Sequence, residues 1–254
     1  MNRTGKSPRV GGVWDRVAPL VLVVGAILST AGFVLAFTLA GPVNGASVNG
    51  VELIGGQMVA NQLLFSQKIF YWHVPVAIAS FLALTVEAYY SVRFLMTRDA
   101  AFDLRAQVAT EVSFVFVVAV MVTGVPWTRF EWGVWWTWDP RLTTYLILML
   151  LVIAYFVLRA AIDDPERKAA FSSVFGIIMF VDVPICMLIT RLIPSSVHPV
   201  VFRTDSGLSP DMLIPFLLSL FGMLCVVYGL FRLRLRTAEL SERVERAKEL
   251  LDEE

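Results

Sequence analysis

Residue types that build most redox and metal sites are scarce in this chain, which has 2 cysteines and 2 histidines among 254 residues. Cys186 and Cys225 lie inside apolar runs and form no C-x-x-C or C-x-x-C-H pattern. This excludes a zinc ribbon, a thioredoxin-like pair and covalent c-type haem attachment to this chain. The sequence also lacks a G-x-x-x-x-G-K-[S/T] phosphate loop and a Ser/His/Asp-type nucleophile pair. We therefore expect that the chain hydrolyses no nucleotide and is not an enzyme.

Charge is also sparse. Charged residues make up 17% of the chain, whereas 57% of its residues are hydrophobic and the mean hydropathy is +0.71. A soluble domain contains about 45–50% apolar residues. The excess is gathered into runs of about 20 residues, the length that crosses the hydrocarbon layer. We therefore predict an all-α polytopic membrane protein with six transmembrane helices, at about 17–39, 73–94, 108–125, 143–162, 171–190 and 212–233.

Prolines and polar segments suggest where these helices begin and end. Pro75 fits the first turn of the second helix, Pro126 is expected to end the third, and Pro184 is expected to interrupt the fifth. Residues 40–66 and 191–211 read as loops. The charged tail carries apolar residues at helical spacing, which predicts a short amphipathic helix over 238–251. The expected division is a transmembrane domain, 1–234, and a cytoplasmic amphipathic tail, 235–254.

The distribution of basic residues predicts the orientation. Sixteen of the 21 Lys and Arg residues fall in four segments on one predicted side of the membrane. These are the N-terminal segment, the tail, and the connections between the second and third and between the fourth and fifth helices. Basic residues concentrate on the cytoplasmic side of membrane proteins. Both termini are therefore expected in the cytoplasm, and the loops at 40–66, 126–142 and 191–211 on the outer face. The net charge of zero gives no sign of a nucleic-acid partner, and membrane lipid is the expected surroundings.

One outer segment is rich in tryptophan: residues 132–139 read Trp-Gly-Val-Trp-Trp-Thr-Trp-Asp. Five of the seven tryptophans lie between positions 127 and 138. Such a run is typical either of an interfacial aromatic belt or of a platform for a large planar ligand. Platform candidates are Trp127, Trp132, Trp135, Trp136 and Trp138.

The two histidines lie on the same predicted face as this segment. His73 is at the outer end of the second helix and His198 is in the outer loop between the fifth and sixth helices. Imidazole is the usual protein ligand of haem iron, and two imidazoles on opposite sides of a macrocycle give six-coordinate iron. Zinc is the weaker alternative, since two histidines do not fill a zinc site.

Charged residues beside the tryptophans suggest how such a ligand would be held. Guanidinium groups match the propionates of haem, and Arg129 and Arg141, which bracket the segment, are the best candidates. Lys68, Arg191 and Arg203 are weaker ones. Asp139 is expected either to fix the loop or to cap the fourth helix. Within the membrane, Asp182, Glu87 and Glu111 could form a polar path or, as we favour, an internal brace.

The motif W-G-x-x-W-x-W-D at 132–139 resembles the signature of the WWD family of haem-handling membrane proteins. The number of spans, the chain length, Tyr71-Trp72-His73-Val74-Pro75 and Asp139-Pro-Arg141-Leu-Thr143 are most similar to its CcmC branch. The likeness covers about 65–235. The first outer loop is longer than expected, the segment before His198 is less aromatic, and the likeness does not extend to the tail helix 238–251.

This resemblance implies a protein of cytochrome c maturation in the bacterial cytoplasmic (inner) membrane. Its members hold haem b non-covalently and transiently on the periplasmic face, with axial ligands that map onto His73 and His198 and a haem-contacting loop that maps onto 127–139. They load haem onto the periplasmic chaperone CcmE. They work with the ABC-type subunits CcmA and CcmB and the small single-span protein CcmD.

Two other functions remain open from the residues alone. One is a bis-histidine electron-transfer cytochrome, whose ligands would normally lie inside the helical bundle. The other is a channel or secondary transporter that uses Asp182 and Glu87 and carries an interfacial tryptophan belt. The channel or transporter hypothesis predicts a colourless protein whose function survives replacement of both histidines.

Overall fold

The computed structural model describes most of the membrane-embedded chain: residues 12–40, 67–193, 198, 208 and 210–252, with the strand pairs 53–54 and 57–58. The predictions for the basic residues before position 12, for most of the loops at 40–66 and 191–211, and for Arg203 lie outside these residues.

In the described part of the chain, six helices are long and apolar enough to cross a membrane, which confirms the predicted fold class. A 3₁₀ turn at Gln67–Ile69 precedes the second of them, and a two-stranded antiparallel pair, β1 (Leu53–Ile54) and β2 (Gln57–Met58), lies in the first long loop. The six helices are α1 (Val13–Thr38), α2 (Phe70–Thr97), α3 (Ala100–Trp132), α4 (Pro140–Ala161), α5 (Pro165–Leu192) and α6 (Pro210–Asp252).

Local sequence explains the helix ends between α2 and α5. The carboxylates of Asp99, Asp139 and Asp164 each accept a hydrogen bond from a backbone amide in the first turn of α3, α4 and α5. Such caps satisfy amides that have no partner inside the helix. At the other end of α3, Gly133 adopts a left-handed conformation with φ of 74°, which glycine tolerates and which commonly terminates a helix.

Helix α2 lies at the centre of the bundle and packs against α3, α5 and α6, while α4 packs against α5 and α3. Side chains from α2 to α6 form the main apolar core, which includes the fully buried Leu84, Leu148, Tyr155 and Met179. Helix α1 packs mainly against α6. There the backbones come close: a Cβ on Gly25 would lie 2.7 Å from Cβ of Cys225.

Ion pairs link the helices at the end of the bundle opposite the tryptophan segment. Arg159 of α4 contacts Asp103 of α3 at 2.7 Å, and Arg234 of α6 contacts Glu111 of α3 at 2.7 Å. Because both partners of the first pair are largely buried, loss of one would leave an unpaired charge.

The predictions made from prolines were wrong. Pro126 does not end α3, which continues to Trp132, and α5 is continuous through Pro184. Pro75 is the sixth residue of α2 rather than part of its first turn, because the helix begins at Phe70. A proline removes one backbone hydrogen bond, and neighbouring helices in a membrane bundle can hold the chain helical in spite of it.

The predicted separate tail helix was also wrong. Helix α6 has 43 residues, about 64 Å at 1.5 Å per residue, and residues 238–251 are its final turns. Leu235 and Ala238 still pack against Val108 of α3. Beyond them the predicted apolar stripe is exposed, at 55% for Leu240 and 70% for Leu251. No break in secondary structure therefore accompanies the expected division between 234 and 235.

Candidate functional site

The first histidine is held between two helices. His73 is the fourth residue of α2 and partly buried. Its Nδ1 lies 2.8 Å from the hydroxyl oxygen of Thr123 on α3. A Cβ on Gly124 would lie 3.2 Å from Cε1 of the same ring. The close approach of α3 at Gly124 therefore fixes the position of the imidazole.

The second histidine packs against two tryptophans. The ring of His198 lies 5.8 Å from that of Trp127 and 6.4 Å from that of Trp132, measured between centroids. Trp127 and Trp132 also contact each other edge to face at 5.3 Å. These two tryptophans are on the last turns of α3, so the part of α3 beyond Pro126 builds the support for His198.

The two histidines and one arginine belong to the same neighbourhood. Both His198 and Arg141 interact electrostatically with His73. Arg141 is in the first turn of α4, and its Nη2 lies 3.2 Å from the hydroxyl of Thr190 on α5. The structure therefore brings together α2, α3, α4, α5 and His198, at the end of the bundle that holds the tryptophans.

The remaining tryptophans follow α3 in a short connection, 133–139. Trp135 is 61% exposed and Trp138 75% exposed, whereas Trp136 is partly buried and contacts Trp138 edge to face at 5.9 Å. The connection is anchored because the hydroxyl of Thr128 donates to the carbonyl of Trp135 at 2.8 Å. Four of the five predicted tryptophans thus form two edge-to-face pairs, one of which packs against His198, and Trp135 lies between them in the sequence.

Asp139 is buried and shapes the start of α4. One of its carboxylate oxygens accepts from the amide of Arg141 at 2.9 Å, and its carbonyl accepts from the hydroxyl of Thr143 at 2.9 Å. Of the two roles considered for Asp139, this geometry is that of a helix cap. The cap also places Arg141 at the entrance of the bundle.

The other basic candidates differ in their surroundings. Arg129 is exposed, and its guanidinium donates to the carbonyl of Gly133, so it closes the end of α3. Lys68 donates to the carbonyls of Ala36 at 2.8 Å and Ala40 at 2.6 Å, so it caps α1. Arg141 differs from these two in lying within electrostatic reach of His73.

The three acids predicted within the membrane do not share one site. Glu87 is fully buried, accepts from the hydroxyl of Ser91 at 2.6 Å and faces Gly176. Asp182 lies 3.6 Å from the sulfur of Cys186 one turn along α5. Glu111 pairs with Arg234. Glu87 and Glu111 therefore each face a second helix, whereas Asp182 contacts a residue of its own helix, and the internal brace stays a prediction.

Sequence reasoning missed Thr123, Gly124 and Thr190, which contact the predicted site residues. A threonine or glycine inside an apolar run carries little signal by itself, and which of them faces a histidine depends on the register between helices. Among the described residues no three His, Cys, Asp or Glu side chains come together as a metal site, so the zinc alternative gains no support there.

Comparison with known proteins adds an independent observation. The model of the family described as CcmC, heme exporter protein C, matches residues 1–250. The chain is 27% identical over 166 residues to heme exporter protein C of Paracoccus denitrificans, covering 65% of this chain and 66% of that protein.

Two further relatives carry the same name. The chain is 33% identical over 111 residues to the Rhodobacter capsulatus protein, covering 44% of this chain and 46% of the relative. It is 30% identical over 179 residues to the protein of Bradyrhizobium diazoefficiens, covering 70% and 68% respectively. The chain thus spans from under half to about two thirds of the length of these relatives.

Proposed function

Because the chain belongs to the heme exporter protein C family, we propose that it binds haem between His73 and His198 and passes it on during cytochrome c maturation. The observation that carries this proposal is the placement of His198 on Trp127 and Trp132, within electrostatic reach of His73. Imidazole supplies an iron ligand, and the tryptophan rings supply a flat apolar wall that excludes water.

Two polar atoms at the site support the fit of a haem. Within the described part of the chain, Nε1 of Trp127 and Nε of Arg141 are buried and have no hydrogen-bond partner. A buried donor without an acceptor costs about 1–3 kcal/mol. A propionate of haem carries two acceptor oxygens and a negative charge. Such a ligand would remove this cost at Arg141 and neutralise the guanidinium.

The remaining residues have distinct roles in this proposal. Trp135, Trp136 and Trp138 extend the apolar wall outward and give an acceptor protein access to the haem, because two of them are exposed. Asp139 positions Arg141 by capping α4. Arg129 contributes positive charge at the exposed rim of the site, where its guanidinium donates to the carbonyl of Gly133. Haem b is bound non-covalently and transiently as cargo, and no chemistry on it by this chain is required.

The orientation and partners complete the proposal. The termini face the cytoplasm of a bacterial inner membrane and the WWD segment faces the periplasm, because the basic residues lie mostly on the side of the termini. The acceptor is the haem chaperone CcmE. CcmA and CcmB supply the ATPase and permease, since this chain has no nucleotide-binding loop of its own, and CcmD is the small fourth subunit.

One observation favours a second candidate, the bis-histidine electron-transfer cytochrome. His73 lies inside α2 and is partly buried, as a ligand in a bundle cytochrome would be. Against it, His198 lies outside the described helices and packs on Trp127 and Trp132 at the end of α3. A cytochrome keeps its haem in the presence of an acceptor, whereas a haem-handling protein releases it.

The absorption spectrum of purified protein tests the proposal. Wild-type protein made with ample haem is expected to show a Soret band, and His73→Ala and His198→Ala are each expected to lose most of it. A Trp14→Ala variant is a matched control because Trp14 is 68% exposed at the start of α1. A wild-type protein without a Soret band would refute haem binding, and a band unchanged in both histidine variants would refute the ligands.

A further inference from the structure

The hydroxyl of Thr123 lies at the centre of three short polar contacts. Its oxygen is 2.8 Å from the carbonyl oxygen of Ala119, 3.2 Å from that of Val120 and 2.8 Å from Nδ1 of His73. A hydroxyl has one proton to donate and two lone pairs that accept. A carbonyl oxygen can only accept. The three contacts therefore constrain which atom carries each proton.

The contacts favour one arrangement of protons, in which the carbonyls of Ala119 and Val120 share the single hydroxyl proton because they can only accept. If Thr123 donates to the carbonyl of Ala119, its lone pairs can accept a proton from Nδ1 of His73. If Thr123 instead donated to Nδ1, its oxygen and the carbonyl oxygen would face each other at 2.8 Å with no proton between them, which is repulsive. The neutral imidazole of His73 then carries its proton on Nδ1 and a free lone pair on Nε2.

We propose that Thr123 is a positioning residue that holds His73 in the tautomer whose Nε2 can bind haem iron. This inference rests on the proposed function for its biological meaning, but the tautomer can be tested without haem. Histidine in water prefers the opposite tautomer, with the proton on Nε2, which cannot ligate a metal through that nitrogen. Thr123 thus selects the state that the free side chain populates less.

The neighbouring backbone reinforces this selection. A Cβ on Gly124 would lie 3.2 Å from Cε1 and 3.9 Å from Nε2 of His73. Two consecutive residues of α3 therefore contact one edge of the imidazole. Thr123 accepts a hydrogen bond from Nδ1, and Gly124, which has no side chain, leaves room for Cε1. Rotation of the ring by a half turn about its Cβ–Cγ bond would break the bond to Thr123.

Hydrogen bonding at Nδ1 has a further consequence for the metal. A ligating histidine that donates its other ring N–H becomes a more basic ligand, and loss of such a partner typically lowers metal affinity about 10- to 100-fold. A more basic axial ligand stabilises ferric over ferrous haem. Removing the acceptor at Thr123 should therefore weaken haem binding and shift the midpoint potential upward.

The direct test is nitrogen NMR of haem-free protein labelled with ¹⁵N in histidine, at about pH 8, where an ordinary imidazole is neutral. The chain has 2 histidines, so in His198→Ala every histidine signal comes from His73. We expect a protonated Nδ1 and an unprotonated Nε2 in that variant. With Thr123→Val added, the proton should move to Nε2, and with Thr123→Ser it should remain on Nδ1. A proton on Nε2 when threonine is present would overturn the proposal.

Haem titration of full-length protein supplies the second readout. Thr123→Val is expected to lower haem affinity about 10- to 100-fold and to raise the midpoint potential, while Thr123→Ser restores both. Thr85→Val is the matched control, because the Thr85 hydroxyl also donates to a carbonyl four residues back, at 2.8 Å, but lies exposed on α2. Should Thr123→Val fail to fold, Thr123→Ser and the NMR of the threonine form still decide the tautomer.

The outcomes separate this inference from the proposed function. Wild-type affinity and potential in Thr123→Val, together with loss of haem in His73→Ala, would overturn the role of Thr123 and leave haem binding standing. A wild-type protein that takes up no haem but shows the Nδ1-protonated His73 would refute the function and leave the tautomer assignment standing.

Discussion

Arg141 and Arg129 were equivalent candidates for a haem propionate in the sequence, and the structure separates them. Nε of Arg141 is buried without a partner among the described residues, whereas the guanidinium of Arg129 is exposed and donates to Gly133. A hydrogen bond to a charged group contributes about 1.5–3 kcal/mol. Arg141→Gln should therefore weaken haem binding about 10- to 150-fold, and Arg129→Gln should change it less than about threefold.

A chemical change in the ligand shows whether the propionate is responsible. Haem dimethyl ester has the same ring and iron but lacks the negative charges. If Arg141 pairs with a propionate, Arg141→Gln and esterification remove the same interaction, so their effects on affinity should not add. The assay is titration of haem-free protein in detergent, followed by the Soret band, with both ligands and with wild type, Arg141→Gln and Arg129→Gln.

Two results would refute this reasoning. An equal loss of affinity in Arg141→Gln for haem and for its dimethyl ester would mean that Arg141 acts only through the protein, for example through its bond to Thr190. A larger loss in Arg129→Gln would assign the propionate to the rim. Arg141→Lys is the control for charge, and it should retain part of the affinity because lysine keeps the charge but loses the planar fork.

Two further predictions concern the wall and the frame of the site. Trp135→Ala with Trp136→Ala should shorten haem retention in a dissociation assay, and unchanged retention would identify these residues as an interfacial belt. Gly176→Ala should lower the thermal midpoint, because the new Cβ would overlap the carboxylate of the fully buried Glu87, and overpacking costs about 1–3 kcal/mol. Gly12→Ala is the control and should change the midpoint little, because the new Cβ would lie 4.0 Å from a carboxylate oxygen of Asp15, an ordinary contact distance.

The fold class could be predicted because each span is a long apolar run, and length and hydropathy are properties of single helices. The boundaries were less predictable. A change from apolar to charged residues at 234 marks the edge of the hydrocarbon, not the end of a helix, and 233–252 contains no glycine or proline to stop α6. Arg105, expected in the loop between the second and third helices, lies in α3 and its guanidinium stacks over the ring of Phe102.

The candidate site, too, could be predicted from the sequence only in part. The residues His73, His198 and Trp132 carry side chains unusual enough to be singled out from the sequence. Their common face followed from counting spans, and the electrostatic proximity of the two histidines in the structure agrees with it. Trp127 was included for its proximity in sequence, and its contact with His198 depends on α3 continuing through Pro126.

Thr123 marks the limit of that reasoning. The sequence around it, Met121-Val-Thr-Gly124, is an ordinary apolar stretch of a membrane helix. Its contact with His73 depends on how far α2 and α3 slide along each other, and a shift of one residue, about 1.5 Å, would remove the 2.8 Å bond. That register is determined by packing along the full length of both helices, including the close approach at Gly124. The proposed ligand His73 can therefore be singled out from its local sequence, whereas the tautomer that we propose for it depends on how the helices pack.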